Sequence, residues 1–218
     1  MIAPALAEFR RWRPLLDGLA GEVHPERWLR AGGGQEAMRK LTANSRSRRS
    51  LSLRLDWLGG KPVADGAAFR EWQEWKDADP LALAPGNVLW EAGLRLGAGL
   101  FRDVATRLVL GRDVSELKAG IGVDAYQFAL RQAGLIRELG RLSPDCVVAE
   151  TLSASIRQAA VFALSTWLWA MPASLAERVV LKLPLEIDTV WRGNPVLPAG
   201  QCDDWRKALI RILSLKQV

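Results

Sequence analysis

The side chains best suited to chemistry are few and scattered. The single histidine, His24, stands directly before Pro25, whose ring pushes the preceding residue toward extended backbone. A Ser/His/Asp or Cys/His site would have to be built on that one imidazole, and nothing near it resembles a nucleophile elbow. A paired-histidine zinc motif is excluded on count alone. His24 is therefore expected to pack or to cap a helix rather than to act as a base. Glu71, Glu74, Asp77 and Asp79 gather carboxylates of the kind that hold metals or move protons. However, Glu71 and Glu74 flank Trp72 and Trp75 on an amphipathic pattern that includes Phe69, and no His, Asn or further converging acid joins them. A solvated helix face is the expectation there. Gly32-Gly33-Gly34 and Gly97-Ala98-Gly99 lack the Lys-Ser/Thr of a phosphate loop and the dinucleotide spacing. The first reads as a loop, the second as a small-residue face that admits a neighbouring helix. Cys146 and Cys202 are too few and too distant for a disulfide framework or zinc knuckle, so free thiols in a reducing compartment are expected. No catalytic, cofactor or metal site is expected.

Binding features remain. Residues 39–54 (RKLTANSRSRRSLSLR) hold Arg39, Lys40, Arg46, Arg48, Arg49 and Arg54 without one acid. Such a stretch attracts phosphates. No aromatic residue interleaves with its arginines, so a mobile solvated loop or a contact with an acidic protein is preferred to nucleic-acid binding, with membrane adhesion behind both. Ten tryptophans stand against one tyrosine. Most are expected in the core, with at least one at the surface, because Trp is enriched at interaction hot spots. Trp167 and Trp169, two positions apart in one helix, point in different directions. The partner-binding residues expected are Arg39, Arg46, Arg48, Arg49, Trp72 and Trp75.

The elements that must position these residues are helical. Leu89, Gly93, Leu96, Leu100, Val104 and Leu108 recur every three or four positions behind Pro85-Gly86-Asn87, predicting one long helix that stops at Gly111. Asp113 with Glu116 forms a capping-box pattern for a short helix ending at Gly120-Ile121-Gly122, and Asp124 opens another. Ser143-Pro144-Asp145 opens a helix running to Ala170, Ser174 with Glu177 repeats the capping box, and Asp203-Asp204 starts a last helix. Residues 51–57 and 181–187 alternate apolar and polar side chains and leave room for a small two-stranded β element, with Pro184 limiting the second to an edge. The expected fold class is thus mainly α. It forms a single-domain compact helical fold over residues 1–218, with a basic quarter at 1–56 and a helical core at 86–215.

Composition agrees. Hydrophobic residues make up 49% of the 218, enough for a core without disulfides or metals. The net charge is +6, concentrated in residues 1–56, which suits an oppositely charged partner. Early charges at Glu8, Arg10, Arg11 and Arg13 interrupt any signal-peptide pattern, so no export signal is expected. The uncharged run at 158–172 is shorter than the ~20 residues a membrane-crossing helix needs, and reads as a buried helix.

The order of several short segments resembles the SctK (YscK) family of type III secretion sorting-platform accessory proteins. The segments are Val23-His24-Pro25-Glu26-Arg27-Trp28-Leu29, Leu96-Gly97-Ala98-Gly99-Leu100 leading through Leu108-Val109-Leu110-Gly111 to Leu117, and Gly122-Val123-Asp124-Ala125-Tyr126-Gln127-Phe128-Ala129-Leu130. Leu181-Lys182-Leu183-Pro184 is similar to the family's late Leu-Pro segment. The Arg-rich stretch and the tryptophan content depart from the family pattern. The resemblance implies a non-enzymatic, cofactor-free adaptor in the bacterial cytoplasm, peripheral at the inner membrane through its partners only. It would bridge the cytoplasmic domain of the ring protein SctD and the pod protein SctQ, be monomeric alone, and support ordered export without nucleic acid. The alternative from the residues themselves is a basic helical nucleic-acid-binding protein, motivated by residues 39–54.

Overall fold

The computed structural model describes residues 11–12, 15, 19–30, 35–52, 75, 79–108, 110–139, 149–193 and 199–215. These are mainly α-helical, and no strand occurs among them. In chain order the helices are α1 (Pro25–Arg30), α2 (Gln35–Ala43), α3 (Ser45–Ser52), α4 (Gly86–Leu100), α5 (Arg102–Ala105) and α6 (Gly111–Ile121). They continue with α7 (Val123–Arg131), α8 (Ala149–Trp169), α9 (Ala173–Val180), α10 (Ile187–Gly193) and α11 (Ala199–Ser214). Short 3-10 segments lie at Leu19–Gly21, Pro80–Leu83 and Ala133–Leu139. No described helix is long and apolar enough to cross a membrane.

Contacts gather into two units, residues 1–87 with 168–188, and 88–167 with 189–218. In the first, Trp12, Leu15, Leu19, Trp28 and Trp75 are buried, as are Leu175, Val179 and Leu183 from α9 and the turn after it. Burying an aliphatic side chain of this size stabilises by roughly 1.5–3 kcal/mol. Asn44 joins α2 to α3 and caps α3, its Oδ1 accepting the N–H groups of Arg46 at 2.9 Å and Ser47 at 3.4 Å. The basic stretch is thus helical on both sides of Asn44 as far as Ser52, which sets aside the mobile loop but not the acidic-protein contact, the other reading preferred for it.

In the second unit Leu89, Leu96 and Leu100 of α4 face the buried side, as do Leu152, Ile156, Leu164 and Trp167 of α8. The small-residue face does what its composition predicts. A Cβ at Gly97 would overlap the carbonyl oxygen of Ile156, so only glycine lets α8 approach this closely. The same glycines weaken the helix, since each costs about 1 kcal/mol relative to Ala. α4 ends at Leu100 and Phe101 leaves helical geometry at φ −95°, ψ 19°, so the long helix expected through Leu108 is instead a helix, a kink and the single turn α5. Gly122, at φ +88°, separates α6 from α7 in a backbone region L-residues rarely adopt.

Several helix starts differ from expectation. α6 begins at Gly111 with Leu110 as its cap, and α9 at Ala173 with Pro172 as its cap, neither using a side-chain hydrogen bond, so Asp113 and Ser174 open nothing. α11 begins at Ala199, ahead of Asp203. Ser143-Pro144-Asp145 lies outside the described residues, as do residues 53–57 of the first expected strand, while Leu51 and Ser52 close α3. The second expected strand, 181–187, is a tight double turn entering α10. Its polar position explains the difference: Lys182 is buried along with Leu181 and Leu183, so the segment has no solvent face on which alternation could act.

Candidate interaction surface and the turn that supports it

The turn after α9 is held by two buried cations, its own Lys182 and Arg27 of α1. The Lys182 side chain is only 1% exposed, and its Nζ donates to the carbonyls of Ala82 at 3.2 Å and Ala84 at 3.1 Å while pairing with Glu22 Oε2 at 2.7 Å. Those three acceptors match the three protons of an ammonium. Burial pushes the Lys182 pKa down, while the Glu22 carboxylate opposes that shift.

Arg27 approaches from α1, with its side chain 2% exposed. Its Nε donates to Leu183 O at 2.9 Å and its Nη2 to Pro184 O at 3.4 Å, capturing two carbonyls of the turn. The remaining fork grips Asp188. The chain just before Arg27 adds two bonds: His24 N–H donates to Leu181 O at 2.9 Å, and Leu185 N–H to Glu26 Oε2 at 3.1 Å. Residues 22–27 and 181–188 therefore close on one another through backbone and charge together. Arg27 belongs to the basic N-terminal quarter, but its charge is spent inside the unit rather than on the surface field.

A third buried cation, Arg178, lies over the Trp75 ring at 5.6 Å and donates from Nη1 to Leu15 O at 3.4 Å. Trp75 is 0% exposed, meets Trp12 edge to face at 6.3 Å, and donates from Nε1 to Ser174 Oγ at 2.9 Å. The structure places it in the core of its unit and not at the exposed surface expected of a contact residue. Trp72 lies outside the described residues, together with Glu71, Glu74 and Asp77. Asp79 caps the 3-10 turn behind it, accepting Leu81 N–H at 2.9 Å. Trp167 is buried and Trp169 half-buried, and no described tryptophan is fully exposed.

Of the expected contact residues, Arg39 on α2 and Arg46 on α3 are exposed, and Arg48 and Arg49 lie along α3. Lys40 pairs with Glu36 at 3.0 Å, both in open solvent. Exposed leucines accompany these cations in the same unit: Leu29 on α1 at 58% and Leu41 on α2 at 45%. His24 acts locally, its Nδ1 accepting the Glu26 N–H at 3.4 Å.

In the second unit, Arg95 pairs with Asp124 at 3.3 Å and Glu91 at 4.0 Å. Grooves of about 200 and 390 Å³ flank this pair, the smaller floored by Leu94, Ile121 and Ala125. Among the described residues no three His, Cys, Asp or Glu side chains gather closely enough to hold a metal ion. Sequence reasoning missed Arg27, Lys182 and Arg178 as buried cations, because most of their acceptors are backbone carbonyls, which carry no residue signature. No family model, curated protein or solved structure matches this chain.

Proposed function

We propose that this chain is a non-enzymatic adaptor of the SctK type, working at the cytoplasmic face of a bacterial inner membrane. In this reading it bridges the cytoplasmic domain of SctD and the pod protein SctQ and supports ordered export. The observation that carries the reading is the closure of residues 22–27 on residues 181–188. Two of the segments on which the resemblance rests, 23–29 and 181–184, are joined by His24 N–H to Leu181 O and by Arg27 to Leu183 O, both at 2.9 Å. A segment pair that specifies one internal frame fits a scaffold whose task is to hold surfaces in register. The exposed cations of α2 and α3 supply such a surface.

The test is co-purification of the folded chain with each of the two proposed partners. A stable complex with either supports the reading. Absence of a complex with both, from protein that shows a cooperative unfolding transition, overturns it.

A further inference from the structure

We infer that the α2–α3 pair is the docking face for an acidic, amphipathic segment of a protein partner, one that sets apolar side chains among its carboxylates. The inference rests on the adaptor reading and names the chemistry its partner must show.

Three observations carry it. First, from Arg39 to Arg54 the chain holds six basic residues and no acid, and Arg39 and Arg46 are exposed. The nearby Lys40–Glu36 pair at 3.0 Å lies in open water, where such a pair holds its members weakly and leaves Lys40 free to exchange partners. Second, the cations are presented from a folded frame. Asn44 caps α3 at the elbow, and both helices pack against the Leu19–Gly21 turn, so binding need not first order a flexible loop. Third, Leu41 on α2 is 45% exposed and Leu29 is 58% exposed on α1, the helix against which α2 packs.

The third observation separates a protein from a nucleic acid. A phosphate backbone offers leucines no apolar counterpart, and its bases need aromatic platforms on which to stack. Of the tryptophans described in this unit, Trp12, Trp28 and Trp75 are buried and supply none, and the half-buried Trp169 belongs to α8, not to α2 or α3. An acidic amphipathic segment answers both features at once, with carboxylates for the arginines and apolar side chains for the leucines.

The test presents the full chain with three probes: a synthetic helical peptide of Glu and Leu, a Glu-Ser peptide of equal charge, and a single-stranded oligonucleotide. The Glu-Leu peptide is expected to bind most tightly. Arg39→Glu with Arg46→Glu should slow its association about tenfold and flatten the salt dependence, and Leu41→Ser should reduce its advantage over the Glu-Ser peptide. Unchanged circular dichroism confirms that these exposed replacements leave the fold intact. Tighter binding of the oligonucleotide, equal binding of the two peptides, no binding of either peptide, or indifference to the charge reversals overturns the inference. None of these outcomes touches the adaptor reading, which fails separately if the unmodified chain binds neither proposed partner.

Discussion

Arg27 and Asp188, 161 positions apart, meet fork to carboxylate, with Nη2 2.7 Å from Oδ1 and Nη1 3.1 Å from Oδ2. The guanidinium is almost wholly enclosed, so removing its partner strands a buried charge. Asp188→Ala is expected to cost about 3–5 kcal/mol. Arg27→Lys should also destabilise, because an ammonium cannot bind the carboxylate through two parallel N–H groups and reach Leu183 O as well. Urea unfolding measures both, and a loss below ~1 kcal/mol for Asp188→Ala would refute this account of the turn.

His24 predicts a pH dependence of known sign. Burial is the largest influence and lowers its pKa below the ordinary value near 6.5; Glu26 raises it, Arg27 lowers it and Glu186 raises it, with a net downward shift. The unfolded chain therefore takes up its proton at a higher pH than the folded one. Stability from this group is complete above about pH 6.5 and declines as pH falls toward the lowered folded value. As the only histidine, it makes the comparison clean. His24→Gln should reduce the loss of urea midpoint between neutral pH and about pH 5.5, and an identical pH profile in the variant would contradict the prediction.

Two glycines should answer the same replacement with opposite signs. At Gly97 an added methyl meets the Ile156 carbonyl, and Gly97→Ala should destabilise by about 1–3 kcal/mol through overpacking. At Gly111, the first residue of α6, nothing lies within 4 Å of an added Cβ. Gly111→Ala should stabilise by roughly 0.4–1 kcal/mol, by restricting the unfolded chain. Thermal melts of the two variants test the pair, and a shift of the same sign in both would count against it.

Trp75 should behave as a core residue. Trp75→Ala is expected to cost about 3–5 kcal/mol, and Ser174→Ala about 1–3 kcal/mol by leaving the buried indole N–H without its acceptor. A Trp75 variant that weakened partner binding while keeping full stability would instead restore it to a surface role.

The helical class was legible because apolar periodicity reports burial, and the Leu89–Leu96–Leu100 stripe is buried as its spacing requires. Capping was not. Ser174 has the spacing of a capping box, yet its hydroxyl accepts from Trp75, 99 positions away, while α9 starts behind Pro172. The residues at 181–187 alternate like a strand only on the assumption that Lys182 faces water. Its acceptors, Ala82 O, Ala84 O and Glu22, lie about a hundred or more positions off, and nothing local to Lys182 announces them. Of the candidate surface, composition revealed the charge of α2 and α3. It could not reveal that Arg27 turns inward or that Leu29 and Leu41 stand exposed on α1 and α2.

The closure of residues 22–27 on residues 181–188 also sets a schedule for synthesis. A ribosome that has just released Arg27 must add 161 more residues before Asp188 appears, an interval of roughly 8–32 s at ordinary elongation speeds. For most of it, until residues 173–180 have been added, Trp12, Leu15, Leu19 and Trp28 lack the α9 segment that shares their core. Nascent-chain chaperones therefore have a long opportunity on these side chains, and translation that stalls ahead of α9 leaves them without the cover it supplies.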